Sequence, residues 1–221
     1  MVLKVSYLVL KTDKPVEESA SKLRGYVGNR FREYPVLHHH AISGEYLYTY
    51  PRVQYRVIDG TPQILGIEDG AKVLKRISDE ISELVLGRRK YRVVQKVLYE
   101  HETVPRPAKM LQYKFVTPWL ALNPDNYRRY LKTGDWRERK NLLNRILVGN
   151  ILSMCKGLGV VVDRRLHVHS LLQGRRVRYK GVEVVGFTGE FRVNFAIPEF
   201  FGLGKGVSQG FGVVKNAPRN R

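Results

Sequence analysis

The sequence predicts an α+β protein made of two tandem ferredoxin-like (β-α-β-β-α-β, RRM-like) domains, the second more decorated. Three observations point there. Apolar residues alternate along VLKVSYLVL (2–10), then recur every three to four positions after Pro15, so a strand pattern passes into a helix pattern. An Asp59-Gly60 pair joins two strand-like runs into a hairpin. A new series of strand and helix patterns begins after TVPRP (103–107).

Taken in order, Leu3, Val5, Tyr7 and Val9 share one face of the first strand. Pro15 opens a helix with apolar positions at Val16, Ala20, Leu23, Val27 and Phe31. A polar stretch containing LHHH (37–40) follows, then the hairpin RVQYRVID (52–59) and TPQILGIE (61–68). Ala71, Leu74, Ile77, Ile81 and Leu84 form the stripe of a second helix that ends at Gly87. RKYRVVQKVLYEHE, from Arg89, is a long strand that completes a first domain over 1–103.

TVPRP is a short stiff linker, and the second domain covers 108–221. It starts with the strand KMLQYKFV (109–116), followed by helical segments at NPDNYRRYLKT and DWRERKNLLNRILVGNILSMCKG. Leu143, Leu147, Ile151 and Met154 mark the buried face of the latter. A strand-like VVVDRRLHVHSLL (160–172) comes next, then a hairpin RRVRYKGVEVVGF turning at Lys180-Gly181, a strand EFRVNFAI and a glycine-rich tail.

Charge narrows the partner. Thirty-nine Lys and Arg against 20 acidic residues give a net charge of +19 over 221 residues. Such an excess repels itself unless a polyanion neutralises it, which points to nucleic acid bound through phosphates. No apolar run nears the ~18 residues of a membrane helix, and the alternating N-terminus does not read as a signal peptide. The single cysteine, Cys155, excludes an intrachain disulfide and fits a reducing cytoplasm.

Two segments carry chemistry. Three of the six histidines stand together as His38, His39 and His40. A polar loop, a metal cluster and an acid–base site all remain open on that run alone. Zinc is the weaker of these, because no Cys or acidic ligand stands at a typical spacing nearby. The tail carries FFGLGKGVSQGFGVVK, with Gly202, Gly204, Gly206, Gly210 and Gly212. A dinucleotide fingerprint needs an acid about 20 residues on, and the sequence offers none; a P-loop needs Ser or Thr after GK, and Gly206 follows Lys205. Two readings of the tail remain: a set of structural turns, or a loop whose backbone N–H groups approach an anion.

The segments GLGKGVSQGFGVV (Gly202–Val214), LRGYVGNRF (Leu23–Phe31), LHHH (Leu37–His40), YPRVQYRVIDGTPQILGIEDGAKVL (Tyr50–Leu74) and KFVTPWLALNPDNYRRY (Lys114–Tyr130) together resemble one family. This is the CRISPR repeat-RNA processing endoribonucleases of the RAMP superfamily, and the resemblance spans nearly the whole chain. It implies cleavage without metal or cofactor: a 2′-hydroxyl attacks the adjacent phosphorus, leaving a 2′,3′-cyclic phosphate and a 5′-hydroxyl. The implied catalytic groups are His40 with His38 as partner, Arg30 for charge, and Tyr46 and Tyr48 for orienting the nucleophile. Arg30 departs from the lysine more usual in the family, and either tyrosine could equally be a packed aromatic. In an extended segment His38 and His40 would point to one side about 7 Å apart, at ~3.3 Å per residue.

The implied RNA contacts are the five tail glycines and Lys205. Charge clustering adds Arg88–Arg92, the helix residues Arg137, Arg139, Lys140 and Arg145, and the hairpin residues Arg175, Arg176 and Arg178. His167 and His169 also sit at i, i+2 and read as surface or RNA-facing residues. CRISPR repeat RNA is the expected partner, with effector-complex subunits and a homodimer as further candidates. Two other functions stay open: a non-catalytic RNA-binding subunit of such a complex, and a basic RNA-binding protein unrelated to CRISPR.

Overall fold

The first strand, β1 (Leu3–Thr12), is buried along most of its length and lies at the centre of a sheet. The computed structural model describes residues 1–38 and 50–217. They form two units, Met1–Val104 with Val207–Gly210, and Pro105–Gly206 with Phe211–Arg221.

In the first unit β1 is followed by α1 (Ala20–Arg30), β2 (Val53–Ile58), β3 (Thr61–Ile67), α2 (Asp69–Ile77), β4 (Glu83–Leu86) and β5 (Arg89–Thr103). The sheet order is β2-β3-β1-β5-β4, with each neighbouring pair antiparallel. The first four of these strands reproduce the ferredoxin-like order, and β4 is an extra strand on the edge. Asp59 and Gly60 (φ +48° and +72°) make the two-residue turn of the β2–β3 hairpin. Leu3, Val5 and Tyr7 are buried, but so are Leu8 and Leu10, so β1 is covered on both faces. Leu8 and Leu10 pack with Leu23, Val27 and Phe31 of the α1 segment and with Leu74 and Ile77 of α2.

Two boundaries differ from the sequence pattern. The chain after Pro15 stays extended, with the Val16 N–H donating to the Gly60 carbonyl at 2.8 Å, and α1 begins only at Ala20. The stripe expected to carry α2 to Gly87 breaks at Ile77. A 3₁₀ turn over Ser78–Glu80 intervenes, where the Ser78 hydroxyl donates to the Lys75 carbonyl at 2.9 Å. Ile81, Leu84 and Leu86 still reach the core, but Leu84 and Leu86 do so from a strand. Positions 81 and 84 satisfy a helical spacing and positions 84 and 86 a strand spacing, so periodicity alone could not choose. Gly87 turns a hairpin in which Leu86 faces Arg89.

The second unit runs β6 (Arg106–Trp119), α3 (Pro124–Lys132), α4 (Trp136–Leu158), β7 (Val168–Tyr179), β8 (Val182–Ala196) and β9 (Val214–Asn216), in sheet order β7-β8-β6-β9. This is again the ferredoxin-like order. Between β8 and β9 the chain runs as loop and one 3₁₀ turn (Val207–Gln209), so the glycine-rich segment takes the place of the second helix. Asn123 caps α3, accepting from Asn126 N–H at 2.8 Å with Pro124 as the first helical residue, and Asp135 caps α4 through Arg137 N–H at 2.8 Å.

Phe115, Trp119, Phe187 and Phe191 pack together in the core, with contacting centroids 5.1–6.1 Å apart and Phe115 stacked on Trp119. Two asparagines fasten α4 to this sheet. Asn144 Oδ1 accepts from both N–H and hydroxyl of Ser170, and Asn150 Oδ1 accepts from Trp119 Nε1 at 2.9 Å. The strand expected from Val160 starts only at Val168. The expected RRVRYKGVEVVGF hairpin and EFRVNFAI strand merge into one long hairpin, with Gly189 at φ +126° inside β8. Among the described residues no helix is long and apolar enough to cross a membrane.

Cys155 is buried, and burial pushes its thiol up to about 11. Thiolate is the reactive form. The native protein should therefore resist a thiol-exchange reagent at pH 8 and react at once after unfolding in denaturant; rapid reaction of the native protein would contradict the packing of α4.

Candidate RNA-processing site

The first candidate site is built where α1 ends. After Arg30 the chain makes a 3₁₀ turn, Pro35–Leu37, that buries Leu37 and delivers His38. Its path is fixed from below and from the side. The Tyr55 hydroxyl, rising from β2, donates to the Leu37 carbonyl at 3.2 Å, and Arg24 Nη2 of α1 donates to the His38 carbonyl. Burial raises the Tyr55 phenol well above its ordinary range against the opposing pull of Arg24, so it stays a donor. The His38 imidazole then lies on α1 itself. A Cβ on Gly28 would stand 2.8 Å from Cε1 and Nδ1 of that ring. Gly28 is thus glycine because a ring occupies the space its side chain would need.

Arg30 is held elsewhere on the helix. Its Nη1 donates to the Tyr26 hydroxyl at 2.8 Å and its Nη2 to the Glu80 carbonyl at 2.7 Å; Tyr26 in turn donates to the Glu83 carbonyl at 2.8 Å. His39, His40, Tyr46 and Tyr48 lie outside the described residues. Among the described residues, no three His, Cys, Asp or Glu side chains group as a metal site.

The second candidate is the glycine-rich segment. Gly204, Gly206, Gly210 and Gly212 all have positive φ. At Gly204 the loop crosses the Trp119–Asn150 hydrogen bond, where a Cβ would stand 2.6 Å from Trp119 Nε1 and 3.0 Å from Asn150 Oδ1. At Gly212 a Cβ would run into the Leu203 carbonyl, and the Leu203 N–H donates to the Gly212 carbonyl at 2.9 Å. Gly206 lies against Tyr179 and Phe211, Gly210 against the Tyr55 carbonyl and Ala20, and Gly202 is buried. These approaches hold the loop in one shape and carry Lys205 outward. Lys205 N–H donates to the Leu120 carbonyl at 3.2 Å, while its ammonium sits 5.5 Å from the centroid of Tyr179.

With this geometry in view, a model of the Cas6b N-terminal domain matches residues 1–104, and a model of the Cas6b C-terminal domain matches residues 107–217. The chain belongs to the Cas6b family. A crystal structure of Cas6b superposes with a TM-score of 0.88 at 35% identity, over 98% of this chain and 100% of that one. Another, of a CRISPR RNA processing endoribonuclease Cas6b, superposes with a TM-score of 0.79 at 31% identity and the same coverage. An uncharacterized protein of Methanocaldococcus jannaschii is 47% identical over 138 residues, 61% of this chain and 92% of its own length. The resemblance to the CRISPR RNA processing family is borne out.

In this Cas6b-family chain the basic residues picked from the sequence fall into separate settings. Arg137 lies over the exposed Trp136 ring at 5.5 Å, and Arg139 over Tyr130 at 5.1 Å while its Nε donates to the Thr133 carbonyl at 2.6 Å. Lys140 lies one residue further along α4 and is half-buried. Arg175, Arg176 and Arg178 lie on β7, the edge strand; alternation puts Arg176 and Arg178 on one face and Arg175 on the other. Arg176 pairs with Glu183 at 3.2 Å in an exposed bridge worth at most about 1 kcal/mol. His167 and His169 are exposed at the start of β7. Arg24 and Tyr55, which steer His38, lack any sequence signal. Gly28 does carry a signal, being a helix-weakening residue inside a helix.

Gly28→Ala tests the His38 placement. Alanine suits a helix better by about 1 kcal/mol, and only a side-chain ring opposes it. Thermal stability should stay near wild type while the imidazole nuclear magnetic resonances of His38 shift; an unmoved His38 signal in a folded variant would contradict the contact.

Proposed function

We propose that this chain is an endoribonuclease that processes CRISPR RNA, cutting within the repeat by attack of a 2′-hydroxyl on the adjacent phosphorus. The observation that carries the reading is membership of the Cas6b family, with near-full-length similarity to a protein described as a CRISPR RNA processing endoribonuclease. The net charge of +19 supports a polyanionic substrate, and a buried lone cysteine suits a cytoplasmic protein.

The reaction needs one group to take the proton of the 2′-hydroxyl and another to give a proton to the departing 5′ oxygen. His38 and His40 are the proposed pair, with Tyr46 or Tyr48 orienting the nucleophile. Arg30 acts, in this reading, as a fixed positive charge at the end of α1, its guanidinium being tied to Tyr26 and Glu80. What supports His38 in the role is its setting: a ring laid on bare helix backbone, with its carbonyl and that of Leu37 each held by a side-chain donor. A group held in that way loses little freedom on reaching the reactive geometry. The glycine-rich loop and Lys205 supply RNA contacts, with the arginines of α4 and β7 adding charge.

General acid–base catalysis is worth about 10²–10⁴-fold. His40→Ala should therefore slow single-turnover cleavage of repeat RNA by that order, with affinity largely kept, in buffer containing excess EDTA. His38→Ala should cost a similar factor if both histidines act. Two such groups give a bell-shaped dependence of rate on pH, and each variant should lose one limb. A 2′-deoxy nucleotide at the scissile position should abolish cutting and leave binding intact. Cleavage lost in EDTA and restored by a divalent ion, or both variants cutting at the wild-type rate, would overturn the mechanism. Tight repeat binding with no cleavage by the wild-type protein would instead favour a non-catalytic subunit.

Because Gly204, Gly206, Gly210 and Gly212 have positive φ and crowded surroundings, replacing them would test loop folding rather than RNA contact. Lys205→Ala is the cleaner probe. It should weaken repeat binding several-fold and flatten its salt dependence, without lowering thermal stability.

A further inference from the structure

α1 carries a second glycine whose role differs from that of Gly28. At Gly25 a Cβ would meet nothing within 4 Å, so no contact of the fold accounts for it. Glycine is, proline apart, the residue least suited to a helix interior. A groove of about 490 Å³ lies over this point, between the exposed face of α1 and the β4–β5 turn. Its lining includes Ser21, Lys22, Asn29 and Arg30 from α1, and Gly87 from the turn, another position where a Cβ would meet open space.

The charge of this groove sets it apart from two other open grooves. One in the second unit is lined by Lys114 and Lys215 but also by Glu190 and Glu199; another has Arg176 and Lys205 but also Glu183. The α1 groove has two cations, three neutral donors (Ser21, Tyr26 and Asn29) and no carboxylate in its lining. Arg30 is already oriented there by Tyr26 and Glu80, so one of the cations is fixed in place.

We propose that this groove is a binding track for the sugar–phosphate backbone of the RNA, running along α1 beside the His38 contact at Gly28. Lys22 and Arg30 neutralise phosphates, Ser21 and Asn29 donate to phosphate or ribose oxygens, and Gly25 lets the strand lie against the helix. The inference rests on the RNA-processing reading above. It adds a contact that lies outside both the histidine segment and the glycine-rich loop.

The test joins two measurements that should move in opposite directions. Gly25→Ala should raise the melting temperature by about 2–4 °C, since the site is open and alanine favours a helix. The same variant should bind labelled repeat RNA about threefold more weakly, and Gly25→Glu at least tenfold. Lys22→Ala should lower affinity and reduce the slope of log affinity against log salt by about 0.7, one phosphate contact to a single strand. Wild-type affinity in both Gly25 variants with an unchanged slope for Lys22→Ala would overturn the track, and would be the result if the groove instead seats a protein. A melting temperature lowered by Gly25→Ala would also overturn it, by showing that the glycine packs within the fold. If wild-type protein fails to prefer repeat RNA over a shuffled sequence, the underlying RNA-processing reading falls, which the variants alone cannot produce.

Discussion

The imidazole of His38 occupies the space where a side chain on Gly28 would begin, so α1 must pass that point as bare backbone. Everything proposed for the first site depends on this approach. It brings a titratable ring against a helix, with Tyr55 and Arg24 holding the carbonyls of Leu37 and His38. The glycine-rich segment repeats the principle. There the loop crosses a core hydrogen bond, Trp119 to Asn150, at a residue with no Cβ. In both places the shape of a loop is set by where backbone can lie close to a fixed element, and the side chain on display follows from that: His38 in one, Lys205 in the other.

Magnitudes separate what folds this chain from what it does. Burial of residues such as Leu8, Leu74 and Trp119 contributes on the order of 1.5–3 kcal/mol each, whereas exposed bridges such as Arg176–Glu183 or Lys75–Glu100 contribute at most about 1 kcal/mol. The cationic excess is thus not spent in holding the fold. Most of it remains on the surface as a field, and at Lys22 and Arg30 two cations line one groove without a carboxylate.

Much of the fold was legible in the sequence, for physical reasons that also explain the failures. Asp59-Gly60 named its own turn, because few pairs adopt two successive positive φ angles. In the first unit the succession of strands and helices followed from the change of period, whereas the order of strands in the second sheet leaves no mark in the pattern. Leu84 misled because its spacing from Ile81 suits a helix and its spacing from Leu86 suits a strand, and only pairing with Tyr91 across the sheet decides. The hairpin ending at Phe187 and the strand beginning at Glu190 were expected as separate elements, and Gly189, at φ +126°, lies inside the one strand that joins them. At the candidate site, residue types were readable and their support was not. Histidines and clustered glycines stand out by composition, but Arg24 and Tyr55 act through carbonyl oxygens, and a donor to a carbonyl leaves no pattern along the chain. Arg30 was legible as a cation near the end of α1; that it is tied to Tyr26 and Glu80 depends on β4 and the turn before it, which the pattern had assigned to a helix.

The central claim is that this Cas6b-family chain cuts RNA by using the RNA's own 2′-hydroxyl as nucleophile, with histidines moving the protons. The ends of the cleaved strands record that chemistry directly. Mass spectrometry of the two products of one repeat RNA should find a 2′,3′-cyclic phosphate on the upstream fragment and a free 5′-hydroxyl on the downstream one. A 3′-hydroxyl paired with a 5′-phosphate would mean that water was the nucleophile, and would contradict the account.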